Sequence, residues 1–140
     1  MANVKLDSVL AAVPLFDGLS KRHVKRLAGV ADVAEFMADA SIVREGDAGD
    51  AFYVVLAGQA KVTTNGKVVN RVMPGDYFGE ISLLDGDVRT ATVTSETPMT
   101  LLILERPRFL KLLREEPQMA MHLLQGLARQ VRRTTRSLVG

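Results

Sequence analysis

The hydrophobic period of this chain changes twice, and those two changes limit the folds open to it. Residues 1–31 carry apolar side chains at helical spacing, residues 32–105 alternate with a period of two, and residues 106–138 return to helical spacing. A period of two sets alternate side chains on opposite faces of a strand, whereas helical spacing gathers them into one stripe. The predicted order is therefore helices, strands, helices. We expect one α+β domain, mainly β, spanning 1–140: an antiparallel β-roll or jelly-roll barrel with N-terminal helices and two C-terminal helices. A chain of 140 residues suffices for one domain that buries about two-thirds of its unfolded surface.

Local signals place the elements. Val4, Leu6, Val9, Leu10 and Val13 form one helical face that Pro14 stops. Ser20 is the expected N-cap of a second helix with Val24, Leu27 and Val30 on its buried side. Between them, the turn from Pro14 to Leu19 inserts two large apolar side chains, Leu15 and Phe16. In the middle region Phe52, Val54 and Leu56 alternate with Tyr53 and Val55, and Ala60, Val62 and Thr64 with Lys61 and Thr63. Asn65-Gly66 predicts a two-residue hairpin, because a type I′ turn needs positive φ at both positions. The run Thr100–Leu104 is nearly all apolar, as for a strand covered on both faces. Pro107 suits the start of a helix striped by Phe109, Leu110, Leu112 and Leu113, and Pro117 ends that helix and opens the last one.

Composition excludes several classes of function. There are no cysteines, and His23 and His122 lie far apart without metal-ligand spacing, so no metal is expected. No nucleophile–base pair is recognisable, and no catalysis is expected. No apolar run approaches the roughly 20 residues of a membrane span, and Lys5, Asp7 and Pro14 do not suit a signal peptide, so the expected location is cytoplasmic. The net charge of +2 argues for no polyanionic partner. Arg129, Arg132, Arg133 and Arg136 crowd the last helix, but no recognition motif accompanies them. They read as a solvated helix face, and neither nucleic acid nor membrane is expected as a partner.

The chemistry concentrates in Phe78-Gly79-Glu80-Ile81-Ser82-Leu83-Leu84 and, after a short gap, Arg89-Thr90-Ala91-Thr92-Val93. Gly79 lets the backbone turn sharply from a strand into a short helix. The first-turn N–H groups around Ile81 and Ser82 then favour an anion. Arg89 presents a fork that matches two phosphate oxygens. Glu80 accepts hydrogen bonds and so suits a sugar hydroxyl. Residue chemistry alone leaves two readings open, an anion site suited to a sugar phosphate or a plain buried Glu80–Arg89 ion pair.

These segments resemble the phosphate-binding cassette (78–93) of cyclic nucleotide-binding domains. The likeness runs upstream through Gly46, Gly49-Asp50, Phe52-Tyr53-Val54-Val55, Gly58, Val62 and Pro74-Gly75-Asp76, and takes in the Pro14-Leu15-Phe16 turn and the two closing helices. Val88 departs from it, standing where such domains often carry proline. The resemblance implies a short helix in the cassette and a non-catalytic, ligand-sensing regulatory module. Glu80 would accept from the ribose 2′-hydroxyl and Arg89 would pair with the cyclic phosphate. Gly79, Ile81 and Ser82 would supply backbone amides, and Thr90 a hydroxyl near phosphate and base. Ala91 would belong to the same ligand site, and Val62 and Val72 would flank the base, a role compatible with a place in the core.

The same resemblance bears on ligand and assembly. Thr90 is similar to the hydroxyl residue of cGMP-responsive domains, and bacterial cAMP sensors carry a hydroxyl there too. Thr134-Thr135 resemble the pair that meets adenine across the dimer in catabolite activator proteins. Leu124, Leu127, Val131, Thr134 and Leu138 follow a 3-4-3-4 spacing, like a short coiled-coil seam. The expected ligand is cAMP, with cGMP as the alternative, bound by a homodimer whose C-terminal helices close as a lid. The downstream effector is not named by the sequence. Two other readings are the sensor half of a Crp/Fnr-type transcription regulator without its helix-turn-helix, and a degenerate fold that serves as an interaction scaffold.

Overall fold

The computed structural model describes residues 5–139 and, within that span, no side chain for Ile81 or residues 135–139. Val4 of the first expected helical face lies outside the described residues, as do the side chains of Thr135, Arg136 and Leu138. Helices are α1 (Leu6–Ala11), α2 (Lys21–Val30), α3 (Glu80–Asp85), α4 (Arg106–Glu115) and α5 (Pro117–Val139). Strands are β1 (Asp32–Phe36), β2 (Ser41–Val43), β3 (Ala51–Ala57), β4 (Ala60–Thr64), β5 (Lys67–Val72), β6 (Tyr77–Phe78), β7 (Thr92–Ser95) and β8 (Met99–Glu105). The chain divides into a β unit, Val30–Phe109, and a helical unit made of the segments up to Gly29 and from Leu110 onward.

The β unit is the expected antiparallel roll. One sheet has the order β1-β8-β3-β6 and the other β2-β7-β4-β5. Val55, Met99 and Leu101 from the first sheet meet Ala60, Val72 and Val93 from the second in one buried cluster. Alternation is what makes this possible, since it gives each strand an apolar inner face. On β8, Leu101, Leu102 and Leu104 are all fully buried, so both faces of this strand are covered. The β4–β5 hairpin closes through Asn65 (φ 52°) and Gly66 (φ 79°), with Thr64 opposite Lys67. Because β6 belongs to the first sheet and β7 to the second, residues 79–91 carry the chain across from one sheet to the other. That crossing segment is the cassette.

In the helical unit, the Pro14–Phe16 turn is a single 3-10 turn that buries Leu15 and Phe16 and contacts α5. Ser20 caps α2 as expected, its hydroxyl oxygen accepting from the His23 N–H at 3.2 Å. Val24 and Leu27 of α2, Leu112 of α4, and Met119 and Leu123 of α5 are buried. Glu116, at the joint between α4 and α5, is 8% exposed, accepts hydrogen bonds from two arginines and lies beside His23. Arg22 donates to both its oxygens (2.9 and 2.8 Å), Arg26 donates at 2.6 Å, and His23 Nε2 lies 3.3 Å away. The Arg22 hydrogen bonds, helped by the nearby positive charges, hold the Glu116 carboxyl below its ordinary value of 4.5 against the opposing effect of burial. Among the described residues, no helix is long and apolar enough to cross a membrane.

A carboxylate whose pKa is lowered by folding stabilises the fold above its unfolded value and loses that contribution as pH falls through the folded value. Thermal unfolding followed by circular dichroism should therefore show Glu116→Gln melting below wild type at neutral pH. That gap should close below an ordinary carboxylate pKa of 4.5. A gap that stays constant across this range would remove the Glu116 charge from the account.

Candidate functional site

Gly79, at the end of β6, has φ +88°, a left-handed conformation that costs glycine little. A Cβ at this position would lie 2.6 Å from Arg89 Nη1 and 2.7 Å from the Ala51 carbonyl oxygen. The glycine thus serves both the turn and the close approach of a guanidinium. It is the N-cap of α3, and the Leu83 N–H closes the first turn onto the Gly79 carbonyl at 3.0 Å. At the other end Gly86 (φ +69°) caps the helix, its N–H donating to the Ser82 carbonyl at 2.8 Å.

Arg89 is held by its backbone as well as by its side chain. Its N–H donates to the Asp47 carbonyl (2.7 Å), and its carbonyl accepts from Gly46 (2.8 Å). Gly49 donates to the Asp87 carbonyl (3.0 Å), and Ala48 bridges to Val88. These contacts sew the exit from the cassette to the loop before β3. A Cβ on Gly49 would fall within 3.0 Å of the Ser82 hydroxyl and the Asp87 carbonyl, so this glycine gives Ser82 its room. The Arg89 side chain is 6% exposed. Nη2 donates to the Ala51 carbonyl at 2.7 Å, and the guanidinium carbon lies 5.7 Å from the centroid of the Tyr53 ring. Tyr53 is stacked on Phe78, centroids 4.8 Å apart and planes 13° apart, as the direct pairing of these residues across β3 and β6 allows.

The guanidinium opens onto a cleft of about 170 Å³. Val43, Val62, Phe78 and Val93 form its apolar wall, and Gly79, Glu80, Ser82, Arg89, Thr90 and Ala91 its polar side. Glu80 is half-buried, and that burial raises its pKa, with its own backbone N–H as the smaller opposing effect. Burial also raises the Tyr77 phenol, which the Glu80 charge raises further. Among the described residues no ion pair joins Glu80 to Arg89, nor any other carboxylate to Arg89. The plain ion-pair reading therefore does not describe this site. What stands in the cleft is a buried cation without a counter-charge beside a carboxylate that is itself partly desolvated. Such an arrangement suits a ligand that brings an anion to Arg89 and a hydroxyl donor to Glu80.

Of the residues expected from the sequence, Gly79, Glu80, Ser82, Arg89, Thr90, Ala91 and Val62 come together at the cleft. Ile81 contributes its backbone to α3. Val72 stands opposite Ala60 within the roll's buried cluster and is not part of the cleft wall. Thr134 belongs to the helical unit, where it is exposed and donates to the Gln130 carbonyl at 3.1 Å, and the Thr135 side chain is outside the described part. Sequence reasoning missed Val43, the Phe78 wall, the Ala51 carbonyl and the Tyr53 ring. The alternation in β3 and β6 could have placed the two aromatic rings on one face. A backbone carbonyl leaves no such trace.

Comparison with known proteins agrees with this geometry. The family profile described as the cyclic nucleotide-binding domain matches residues 33–116. The cAMP-dependent protein kinase regulatory subunit of Schizosaccharomyces pombe is 37% identical over 108 residues, covering 76% of this chain. The cGMP-dependent protein kinase egl-4 of Caenorhabditis elegans is 35% identical over 116 residues, covering 78% of this chain. The chain spans only 26% and 15% of the lengths of these two relatives. Among solved structures, the N-terminal domain of a transcriptional regulator from Streptomyces coelicolor A3(2) superposes with a TM-score of 0.82 at 33% identity, over 90% of this chain and 94% of that one. Fold, cleft and profile converge: this chain belongs to the cyclic nucleotide-binding domain family.

Proposed function

We propose that this protein binds a cyclic nucleoside monophosphate, cAMP in preference to cGMP, as a non-catalytic sensor whose C-terminal helices transmit the signal by closing. The observation that carries this reading is Arg89, a guanidinium 6% exposed and without a carboxylate partner, facing a cleft that also holds Glu80 and Thr90. In this reading the cyclic phosphate supplies the missing counter-charge. Glu80 accepts from the ribose 2′-hydroxyl, and the apolar wall of Val43, Val62 and Val93 receives the base. Thr134 and Thr135 on α5 are the residues we assign to the adenine amino group, which is the ground for preferring cAMP. A ligand shifts the equilibrium of the helices only by its differential affinity for the closed form. The stripe of exposed Met121 and Leu124 with half-buried Leu127 along α5 supports assembly as a homodimer, in which Val131 and Leu138 would continue the seam.

Isothermal titration with cAMP and cGMP should give a dissociation constant of about 1 μM or below, with cAMP the tighter. Arg89→Ala should weaken binding by about 2–4 kcal/mol, roughly 30- to 1,000-fold, because it removes a charge-assisted fork from a desolvated site. A folded protein that binds neither nucleotide would end this proposal.

Glu80 gives a second, opposite-signed test. A carboxyl whose pKa is raised by folding costs stability at neutral pH, and that cost vanishes below its unfolded value. Glu80→Gln should therefore melt higher than wild type at about pH 7 yet bind nucleotide more weakly. Wild-type affinity should decline on acidification from a pH above the ordinary 4.5, whereas the Gln variant should show a flat profile. A variant that both binds and melts like wild type would take Glu80 out of the site. Sedimentation with and without nucleotide reads the assembly: wild type should sediment as a dimer and Leu124→Glu as a monomer, and a monomeric wild type would remove the α5 seam.

A further inference from the structure

The cassette helix α3 lies between two left-handed glycines, and each is covered by a guanidinium. Arg89 lies over Gly79, as described. At the other end Arg106, the first residue of α4, lies over Gly86. A Cβ on Gly86 would be 2.9 Å from the Arg106 guanidinium carbon, 3.0 Å from Nη1 and 3.2 Å from Nε. Arg106 Nε donates to the Leu83 carbonyl (3.1 Å) and Nη2 to the Leu84 carbonyl (3.3 Å). Its backbone N–H donates to the Asp50 carbonyl (2.8 Å), one residue before the Ala51 carbonyl that takes Arg89 Nη2.

The last carbonyls of any helix lack intrahelical donors and must find others. In α3 the Gly86 N–H satisfies the Ser82 carbonyl, and Arg106 satisfies the next two. A cation there also complements the negative end of the helix. A six-residue helix has little stability of its own, because a single turn barely offsets its nucleation cost. Its orientation depends on what holds its ends.

We propose that Arg106 is a positioning residue for ligand binding: without touching the nucleotide, it clamps the C-terminal end of α3 so that Glu80, Ser82 and the neighbouring Arg89 keep their places, and it ties occupancy of the cleft to the first turn of α4. This rests on the cyclic-nucleotide reading given above. The clamp needs a planar fork reaching two successive carbonyls, which lysine cannot supply. It also needs Gly86, since any side chain there would displace the guanidinium. Arg108, in the same first turn of α4, is the control: its guanidinium pairs with Asp32 at 2.9 Å, away from the cassette.

The test compares Arg106→Gln, Arg106→Lys and Arg108→Ala with wild type, by cAMP titration and by hydrogen exchange of the ligand-free proteins. Arg106→Gln should bind cAMP about tenfold more weakly, as expected for one or two lost hydrogen bonds. Its amides from Leu83 to Gly86 should exchange faster while the β-roll core exchanges as in wild type. Arg106→Lys should recover part of both effects, and Arg108→Ala should bind within twofold of wild type. In wild type, cAMP should slow exchange in the first turn of α4, and in Arg106→Gln it should not. Unchanged affinity, unchanged cassette exchange, or an Arg108→Ala variant that loses affinity as much as Arg106→Gln would each overturn the proposal. Wild-type protein that binds neither nucleotide would overturn the proposed function alone, and the ligand-free exchange comparison would then decide the clamp by itself.

Discussion

The packing of the Arg89 guanidinium against the bare Cα of Gly79 is the contact on which the rest of the site depends. The left-handed turn at Gly79 ends β6, starts α3 and leaves the space that the guanidinium occupies. A side chain at residue 79 would strain the backbone and push Arg89 off the Ala51 carbonyl at the same time. Everything downstream, from the direction of α3 to the position of Glu80 in its first turn, follows from that contact. The loop before β3 does the complementary work. By pairing its backbone with residues 87–89 it fixes where Arg89 leaves the chain, so that the side chain need only choose its rotamer.

The two-sheet roll explains why such a site can be both polar and buried. A segment that crosses between sheets leaves the hydrogen-bonding ladder, and its backbone groups must find partners elsewhere. In this chain they find the loop 44–50, the two capping glycines and Arg106. The crossing also lies over strands whose inner faces are apolar, so Glu80 and Arg89 are desolvated without being paired to each other. Direct pairing would stabilise the empty protein and remove the driving force for a ligand. Keeping the two charges apart leaves each with an unmet interaction, and this is why Glu80 shows a raised pKa from burial rather than the lowered one of an ion pair.

Much of this was legible in the sequence, for reasons that are local. Asn65-Gly66 announces its hairpin because few dipeptides tolerate two positive φ angles, and both angles are found. Leu15 and Phe16 announce a buried turn because nothing else in Pro14–Leu19 requires large apolar groups. The alternation across residues 51–64 yields β3 and β4 directly. What escaped is non-local or carried by the backbone. The pairing that sets Val72 opposite Ala60, on the inward face of the roll, joins residues of two different strands and leaves no local mark. Arg106 stands well beyond the cassette helix, at the start of α4, and reads, in sequence, like any basic residue at a helix start. Glu116 is one of two adjacent glutamates, and only the fold shows that it takes Arg22, Arg26 and His23 while Glu115 takes Arg26.

Two arginines over two glycines also separate what the cassette senses from how firmly it is held. Arg89 points into the cleft and can exchange solvent for an anion, so its interaction energy changes on binding. Arg106 faces the helix carbonyls and lies outside the cleft lining, so its bonds need not be exchanged for bonds to a ligand. An interaction that is equal in both states adds nothing to affinity directly, because only a difference between states can shift an equilibrium. Its influence must come through order: it lowers the conformational entropy that the ligand would otherwise have to remove from α3. Chemical specificity therefore belongs to Arg89, Glu80 and Thr90, and the strength of the response to the residues that hold α3 still before the ligand arrives.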